Sequence, residues 1–229
     1  MLKFAQCIAR RFLQKYCWKV SHTFATLQII VPPLMTNIAI TGGIASGKSL
    51  LGEMLSQLGA DVLDVDEIVR SMHRSGGEGA KMVNSVFGVA YLTEDGSTDR
   101  AKLGDFIFKN PAARRQLDAL LHPLVRRVAL AWRDAASNAP FKAALIPLLF
   151  ESGWRSDWNV ALTIESPLES RLARLAARGL SQEAAQARIA AQLAPERRRE
   201  LADIIISNDG GFADLSKAAN FIFKYMENH

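Results

Sequence analysis

Short apolar runs alternate with segments of helical periodicity along most of the chain. Five of the runs predict strands; they span residues 37–41, 61–64, 142–150, 159–164 and 203–206. The last three are the most apolar, which is typical of strands buried on both faces of a sheet. After the first run, Leu51, Met54, Leu55 and Leu58 share one helix face, and Gly59 is placed to end that helix. The alternation predicts an α/β fold with a five-stranded parallel sheet.

Two long segments carry helical patterns without strand signals. The first, residues 67–138, predicts three or four helices that either hold a second substrate or serve only as a packing appendage. The second, residues 166–200, predicts a helical lid in which Ser166 and Glu169 match a capping box and Ser181 can cap a second helix. The predicted order is an extension (1–34), core (35–66), helical insertion (67–138), core (139–165), lid (166–200) and core (201–229).

The excess positive charge is confined to the first 34 residues. The chain has 28 basic and 23 acidic residues, and five basic and no acidic residues lie in this segment, so the remainder is balanced. That balance argues against a nucleic-acid-binding surface, and the basic stretch at 195–200 is more typical of a solvated helix end. No apolar run reaches 18 residues, so a membrane span is not expected.

Residues 1–34 leave several alternatives open. The segment is basic and loosely amphipathic, which is compatible with a membrane-surface or targeting helix. Because Met35 directly precedes the first strand, a flexible extension or upstream sequence from an early start codon is favoured. Both cysteines, Cys7 and Cys17, lie here, and their absence from the rest of the chain suits a reducing cytoplasm. The sequence does not reveal the oligomeric state.

The stretch ITGGIASGKS, residues 40–49, contains G-x-x-x-x-G-K-S between a predicted strand and a predicted helix. Its glycines allow backbone N–H groups to turn toward a phosphate, and a helix N-terminus favours an anion. Lys48 is expected to reach the β- and γ-phosphates, and the Ser49 hydroxyl to bind Mg²⁺. The predicted nucleotide-phosphate site comprises Gly42, Gly43, Ala45, Ser46, Gly47, Lys48, Ser49 and Leu50.

Two acids, Asp64 and Asp66, stand at the end of the second predicted strand. In a parallel sheet this end faces the same crevice as the phosphate loop. One carboxylate could orient Mg²⁺ or its waters, and the other could accept a proton from an attacking hydroxyl. The alternative is that both acids cap the following helix.

Three arginines of the predicted lid, Arg171, Arg174 and Arg178, are spaced along one helix face. A guanidinium brought in by lid closure would stabilise the charge of a transferring phosphoryl group, although any one of the three could equally belong to a solvated face. Arg178, at the helix end, is the preferred candidate. His122, directly before Pro123, belongs either to a structural turn or to a substrate contact.

Six separated blocks resemble the dephospho-coenzyme A kinase family: TGGIASGKS, LDVDEIVR, LLHPLVR, PLLFESG, RIAAQ and ADIIISNDGG. The resemblance runs from about Met35 to the C-terminus. It implies a P-loop kinase fold with a helical substrate-binding insertion and a helical lid. It also implies a cytoplasmic enzyme that uses ATP and Mg²⁺ to phosphorylate the ribose 3′-hydroxyl of dephospho-coenzyme A, the last step of coenzyme A synthesis.

The resemblance also implies individual roles. Asp66 is the implied general base, Lys48 and Arg178 act on the phosphates, and Asn208 lies near the adenine of ATP. The resemblance puts His122 and the PLLFE segment, with Pro147, Leu148 and Glu151, around the acceptor pocket, and Asp64 is a further predicted substrate-binding residue. The chain departs from the family pattern at three positions, which we expect to tune affinity without abolishing activity: Ala45 replaces a glycine, Leu50 a hydroxyl residue and Gly179 an acid.

The phosphate loop by itself leaves two other functions open. Another kinase of small metabolites or nucleoside monophosphates would share the loop, the insertion and the lid. A nucleotide-dependent switch would share the loop alone, and a guanine-specific switch would require an N-K-x-D signature where the chain has SNDGG.

Overall fold

The computed structural model describes residues 27–29 and 37–227, which divide into two compact units. The first unit combines the chain up to residue 63 with residues 137 onward. The second unit comprises residues 64–136. The boundaries follow the change from strand to helical patterns along the sequence.

The first unit contains a six-stranded sheet in the order β1-β6-β5-β2-β4-β3. The strands are β1 (Leu27–Ile29), β2 (Asn37–Gly42), β3 (Asp61–Asp64), β4 (Lys142–Leu145), β5 (Val160–Glu165) and β6 (Ile204–Ser207). The central strand β2 pairs in parallel with β4 and β5, and β5 pairs in parallel with β6. All five predicted strands are present, and the α/β class with a parallel sheet is confirmed.

The sixth strand, β1, was not predicted. Its backbone runs antiparallel to β6, with Leu27 opposite Ile206 and Ile29 opposite Ile204. The prediction of a flexible extension is therefore wrong for these three residues. The rest of that segment, including the two cysteines and the alternative of a surface or targeting helix, lies outside the described residues.

Strand β4 is shorter than the predicted run of 142–150. The ladder ends with Ile146, whose N–H donates to the carbonyl of Ile40 at 2.8 Å. Pro147 follows and has no N–H to donate, so it cannot extend the pairing. The chain then turns through residues 147–153, and this places the PLLFE residues in a loop at the end of a strand.

Helices cover the sheet of the first unit. They are α1 (Lys48–Leu58), α6 (Leu168–Ala177), α7 (Gln182–Ala190), α8 (Pro195–Leu201) and α9 (Phe212–Glu227). Leu51 and Leu55 of α1 and Leu215 and Ile222 of α9 pack in one buried cluster with the strand residues. As predicted, α1 ends at Gly59, whose φ of +111° is a left-handed conformation that favours glycine.

The lid helices begin partly as predicted. The Ser181 hydroxyl caps α7 by accepting a hydrogen bond from the N–H of Ala184 at 3.2 Å. The capping box at Ser166 is wrong, because α6 begins only at Leu168 and has no side-chain cap. The Ser166 hydroxyl donates instead to the carbonyl of Asn208, so a tertiary contact replaces the local one.

The second unit is helical. It contains α2 (Val65–Met72), α3 (Glu78–Phe87), α4 (Arg100–Lys109) and α5 (Pro111–Asp134), with a 3₁₀ turn at Val89–Tyr91. Its core comprises Val83, Leu103, Leu117 and Leu121, with Phe87 and Phe106 packed against them. In the described ranges, the helices are too short or too polar to cross a membrane.

Helix α5 continues through Pro123, so the alternative of a structural turn at His122 is wrong. A proline inside a helix removes one backbone hydrogen bond and crowds the preceding turn. Leu121 and Val125 are buried on either side of it, and this packing holds the helix together across the interruption. His122 itself is exposed on α5.

Candidate active site

The loop between β2 and α1 has a backbone that most side chains would obstruct. Gly42 and Gly47 have φ values of +152° and +109°, both in the range that favours glycine. A Cβ atom at Gly42 would lie 2.3 Å from the carbonyl oxygen of Ile164, and one at Gly47 would lie 2.4 Å from Nδ2 of Asn208. Glycine is therefore required at both positions by conformation and by space.

The first backbone N–H groups of α1 follow directly on the phosphate loop. The N–H of Leu51 donates to the carbonyl of Gly47 at 3.0 Å, which is the first bond of the helix. The N–H groups of Ser49 and Leu50 consequently have no acceptor within the helix. Their alignment with the helix dipole favours an anion, so the predicted phosphate site has the required donors.

Three side chains of the lid, which we call the loop clasp, hold the backbone of this loop. Arg171 donates from Nε to the carbonyl of Ile44, and Arg174 donates from Nη1 to the carbonyl of Ala45, each at 2.9 Å. Gln192 accepts from the N–H of Ile44 at 2.6 Å through its side-chain oxygen. The loop clasp thus fixes both polar groups of Ile44 and the carbonyl of Ala45.

Asn208 supports the same loop from the end of β6. It is buried, and its Nδ2 donates to the carbonyl of Ser46 at 2.8 Å. The Ser46 side chain is also buried, and its hydroxyl has no hydrogen-bond partner among the described residues. Asn208, which was predicted to lie near adenine, is thus positioned first of all against the phosphate loop.

A buried ion pair ties the lid to the sheet. Arg198 of α8 donates from Nε and Nη2 to the two carboxylate oxygens of Glu165 at 2.7 Å each, and both side chains are 2% exposed. Thr163 adds a hydrogen bond to the same carboxylate at 2.8 Å, and Arg198 also donates to the carbonyl of Leu193. The prediction of a solvated helix end is therefore wrong for Arg198.

Two of the lid arginines contact the phosphate loop, and the third does not. Arg171 is buried, and burial, followed by the charge of Arg198, lowers its pKa. Arg174 is half-buried and also donates to the Ser166 hydroxyl at 2.9 Å. Arg178, the preferred candidate from the sequence, is exposed at the C-terminal end of α6.

The predicted acceptor residues of the first unit lie in the loop after β4. The carbonyl of Pro147 accepts from the Thr41 hydroxyl at 3.2 Å, and Leu148 is exposed. Glu151 accepts from the N–H of Leu193 at 2.8 Å, so it joins this loop to the end of the lid. The loop is thereby connected to β2 and to the lid.

The predicted acids belong to the second unit. Asp64 caps α2 by accepting from the N–H of Asp66 at 2.9 Å, which bears out the capping alternative for this residue. Asp66 is exposed, and within the described residues its carboxylate has no hydrogen-bond partner. In the described ranges, no group of three or more His, Cys, Asp or Glu side chains is arranged to hold a metal.

Comparisons with known proteins agree with one another. The family model described as "Dephospho-CoA kinase" matches residues 36–214. The dephospho-CoA kinase of Frankia casuarinae is 38% identical over 181 residues, which is 79% of each chain. That of Geobacillus kaustophilus is 40% identical over 176 residues, 76% of this chain and 88% of the relative.

Solved structures extend this similarity to the fold. A dephospho-CoA kinase from Campylobacter jejuni superposes with a TM-score of 0.65 at 29% identity, covering 83% of this chain and 96% of that one. A crystal structure of a protein from Thermus thermophilus gives a TM-score of 0.70 at 34% identity, covering 82% and 96%.

Proposed function

The chain belongs to the dephospho-CoA kinase family, and on that premise we propose that it transfers the γ-phosphoryl group of ATP to the ribose 3′-hydroxyl of dephospho-coenzyme A. The bond between the γ-phosphorus and the bridging oxygen of ATP breaks, a bond to the 3′-oxygen forms, and the hydroxyl proton passes to a base. The products are ADP and coenzyme A. The observation that carries this proposal is the glycine-built phosphate loop held by the loop clasp.

The residues of the phosphate loop fit a nucleotide polyphosphate. The N–H groups at the start of α1 lack helical acceptors, and the buried Ser46 hydroxyl has no partner among the described residues. We propose that these donors and Lys48 bind the β- and γ-phosphates. The Ser49 hydroxyl, exposed in the first turn, would be the protein ligand of Mg²⁺, which neutralises phosphate charge when bound.

Asp66 is our candidate for the general base. An exposed carboxylate without a hydrogen-bond partner in the described chain is available to accept a proton from an approaching hydroxyl. Asp64 would act on it indirectly, because the hydrogen bond from the N–H of Asp66 to Asp64 fixes the backbone that carries the base. We therefore assign Asp64 a positioning role.

We also propose roles for the lid arginine Arg178, for Asn208 and for the acceptor residues. Arg178 is exposed on the lid and would reach the transferring phosphoryl group on closure. The side-chain nitrogen of Asn208 donates to the Ser46 carbonyl of the loop, so its side-chain oxygen remains to accept from an adenine amino group. His122, Pro147, Leu148 and Glu151 would contact dephospho-coenzyme A.

An acceptor panel tests the reaction. Purified protein is incubated with ATP and Mg²⁺ and with dephospho-coenzyme A, adenosine or a nucleoside monophosphate, and ADP release is measured. We expect turnover only with dephospho-coenzyme A. Coenzyme A is the matched control, because its 3′-hydroxyl is already phosphorylated. Faster turnover on a nucleoside monophosphate would instead identify a nucleoside monophosphate kinase. Absence of turnover with every acceptor would indicate a nucleotide-binding module without kinase activity.

A further inference from the structure

Two buried guanidinium groups converge on Gly43 of the phosphate loop. A Cβ atom at Gly43 would lie 2.7 Å from Cζ of Arg171 and 3.0 Å from Nη2 of Arg198. The two arginines are 3% and 2% exposed, so water screens neither of them well. Glycine at this position therefore allows two cations to lie directly against the loop backbone.

The charges of this cluster do not cancel. Both carboxylate oxygens of Glu165 are taken by Arg198, which makes that pair neutral. Arg171 bonds through Nε only to the carbonyl of Ile44, and its buried Nη2 has no hydrogen-bond partner among the described residues. Although burial lowers its pKa, an arginine remains charged in a protein. One positive charge is therefore left without a carboxylate of its own.

An uncompensated buried charge is costly to a fold, because water no longer solvates it. The cost is offset when a ligand supplies the missing negative charge. Arg171 lies against the loop that, by the function proposed above, receives the polyphosphate of ATP. Its guanidinium is held by a backbone hydrogen bond, so its charge is present before the nucleotide arrives.

We propose that Arg171 is a positioning residue of the nucleotide site: it supplies a fixed, buried positive charge that strengthens binding in proportion to the charge of the nucleotide phosphates. This role differs from that of Arg178, which is exposed and would act only after lid closure. It also differs from the roles of the other two members of the loop clasp, because Gln192 is neutral and Arg174 is only half-buried.

The test compares the affinities of ATP, ADP and AMP, measured by calorimetry without Mg²⁺ at one ionic strength, for the full chain and its variants. Arg171→Met keeps most of the side-chain volume and removes the charge. We expect it to weaken ATP binding on the order of tenfold. The interaction energy of two unit charges about 10 Å apart, at an effective dielectric constant near 20, corresponds to a change in affinity of about this size. The loss should be smaller for ADP and smallest for AMP. Arg171→Lys, which keeps the charge, should restore most of the affinity.

The matched control is Arg199→Met, which removes one charge from an exposed position of α8 and should leave all three affinities within about twofold. If Arg171→Met does not fold, as judged by its thermal melting curve, Arg171→Gln is the neutral replacement. Two results would show a purely structural role and overturn the proposal. One is an equal loss of affinity for all three nucleotides, and the other is an ATP affinity of Arg171→Lys as low as that of the neutral variant. A wild-type protein that binds ATP but does not phosphorylate dephospho-coenzyme A would contradict the proposed function, whereas the graded losses would still support the role of Arg171.

Discussion

The phosphate loop and the start of α2 differ in how firmly the fold holds their polar groups. In the loop, the loop clasp and Asn208 hold the backbone at Ile44, Ala45 and Ser46 from other parts of the fold, next to the N–H groups that we propose to bind phosphate. At the start of α2, the carboxylate of Asp66 is exposed and has no hydrogen-bond partner in the described chain. A binding surface gains from being fixed, whereas a base must remain accessible to its acceptor. Substitutions around the loop should therefore alter stability or affinity, and substitution of Asp66 should alter the rate alone.

The sharpest test of this contrast is Asp66→Asn. We expect the rate of phosphoryl transfer to fall by about 10³- to 10⁴-fold, or about 4 to 5.5 kcal/mol, because the amide cannot accept the hydroxyl proton. The affinity for ATP and the melting temperature should hardly change, because the carboxylate makes no hydrogen bond to the part of the chain that the structure describes. Steady-state kinetics with dephospho-coenzyme A and ATP calorimetry measure the two effects.

Glu67→Gln is the matched control for Asp66→Asn. Glu67 is the next residue of the same helical turn, and its pKa is lowered by its hydrogen bond to Arg70. The same acid-to-amide change there should alter the rate by less than about threefold, because surface ion pairs contribute little. Full activity of Asp66→Asn, or an equal loss in both variants, would remove Asp66 from the role of base.

The buried ion pair of the lid provides the largest expected effect on stability. Arg198→Met should destabilise the protein by about 3 to 5 kcal/mol, because it leaves the carboxylate of Glu165 buried without its partner. Urea unfolding of the variant and the wild type measures this difference. Replacing Glu165 together with Arg198 by apolar residues should recover much of the loss, since neither charge of this pair is then left buried without the other.

An exposed ion pair within α8 is the control for the buried pair of Arg198 and Glu165. Arg197 pairs with Glu200 at 2.6 Å, but these side chains are 57% and 62% exposed. Arg197→Met should therefore change the unfolding free energy by less than about 1 kcal/mol. Similar losses for the exposed and the buried pair would refute the importance that we assign to burial.

The same contrast explains what the sequence could predict. The phosphate loop was predictable because its glycine spacing and flanking elements are local, and the structure shows the required backbone. The loop clasp was not, because Gln192 meets Ile44 across 148 residues, a distance over which periodicity carries no information. The block RIAAQ is the only signal for Gln192, whereas Arg171 and Arg174 already stand out in the sequence as evenly spaced lid arginines.

Local patterns also misled where tertiary contacts compete with them. Ser166 matches a capping box, yet its hydroxyl bonds to Asn208 and leaves the helix end uncapped. Arg198 lies in a charged stretch typical of solvent, yet the carboxylate of Glu165 stabilises it in the interior. Both errors concern polar groups, whose partners depend on the fold, whereas the apolar runs predicted the strands well.

A smaller effect is expected at the loop clasp. Gln192→Ala removes the acceptor for the Ile44 N–H, and a hydrogen bond of this kind contributes about 0.5 to 1.5 kcal/mol. We expect the KM for ATP to rise about three- to tenfold with kcat nearly unchanged. Gln192→Glu, which retains an acceptor oxygen, should restore part of the affinity, and Gln186→Ala on the exposed face of α7 is the neutral control. A lower melting temperature with an unchanged KM would reduce Gln192 to a structural contact.

The smallest expected effect concerns Ala45 of the phosphate loop. Its φ of +60° makes it left-handed, a conformation that costs a residue with a Cβ atom roughly 1 to 2 kcal/mol. Ala45→Gly relieves this strain but gives the unfolded chain more freedom, so we expect a net stabilisation of about 0.5 to 1 kcal/mol in urea unfolding. The same change at Ala187, exposed on α7, should instead destabilise the protein by about 1 kcal/mol, because glycine is a poor helix former. Opposite signs for the two substitutions would show that Ala45 is held in a strained conformation, and destabilisation at both positions would show that it is not.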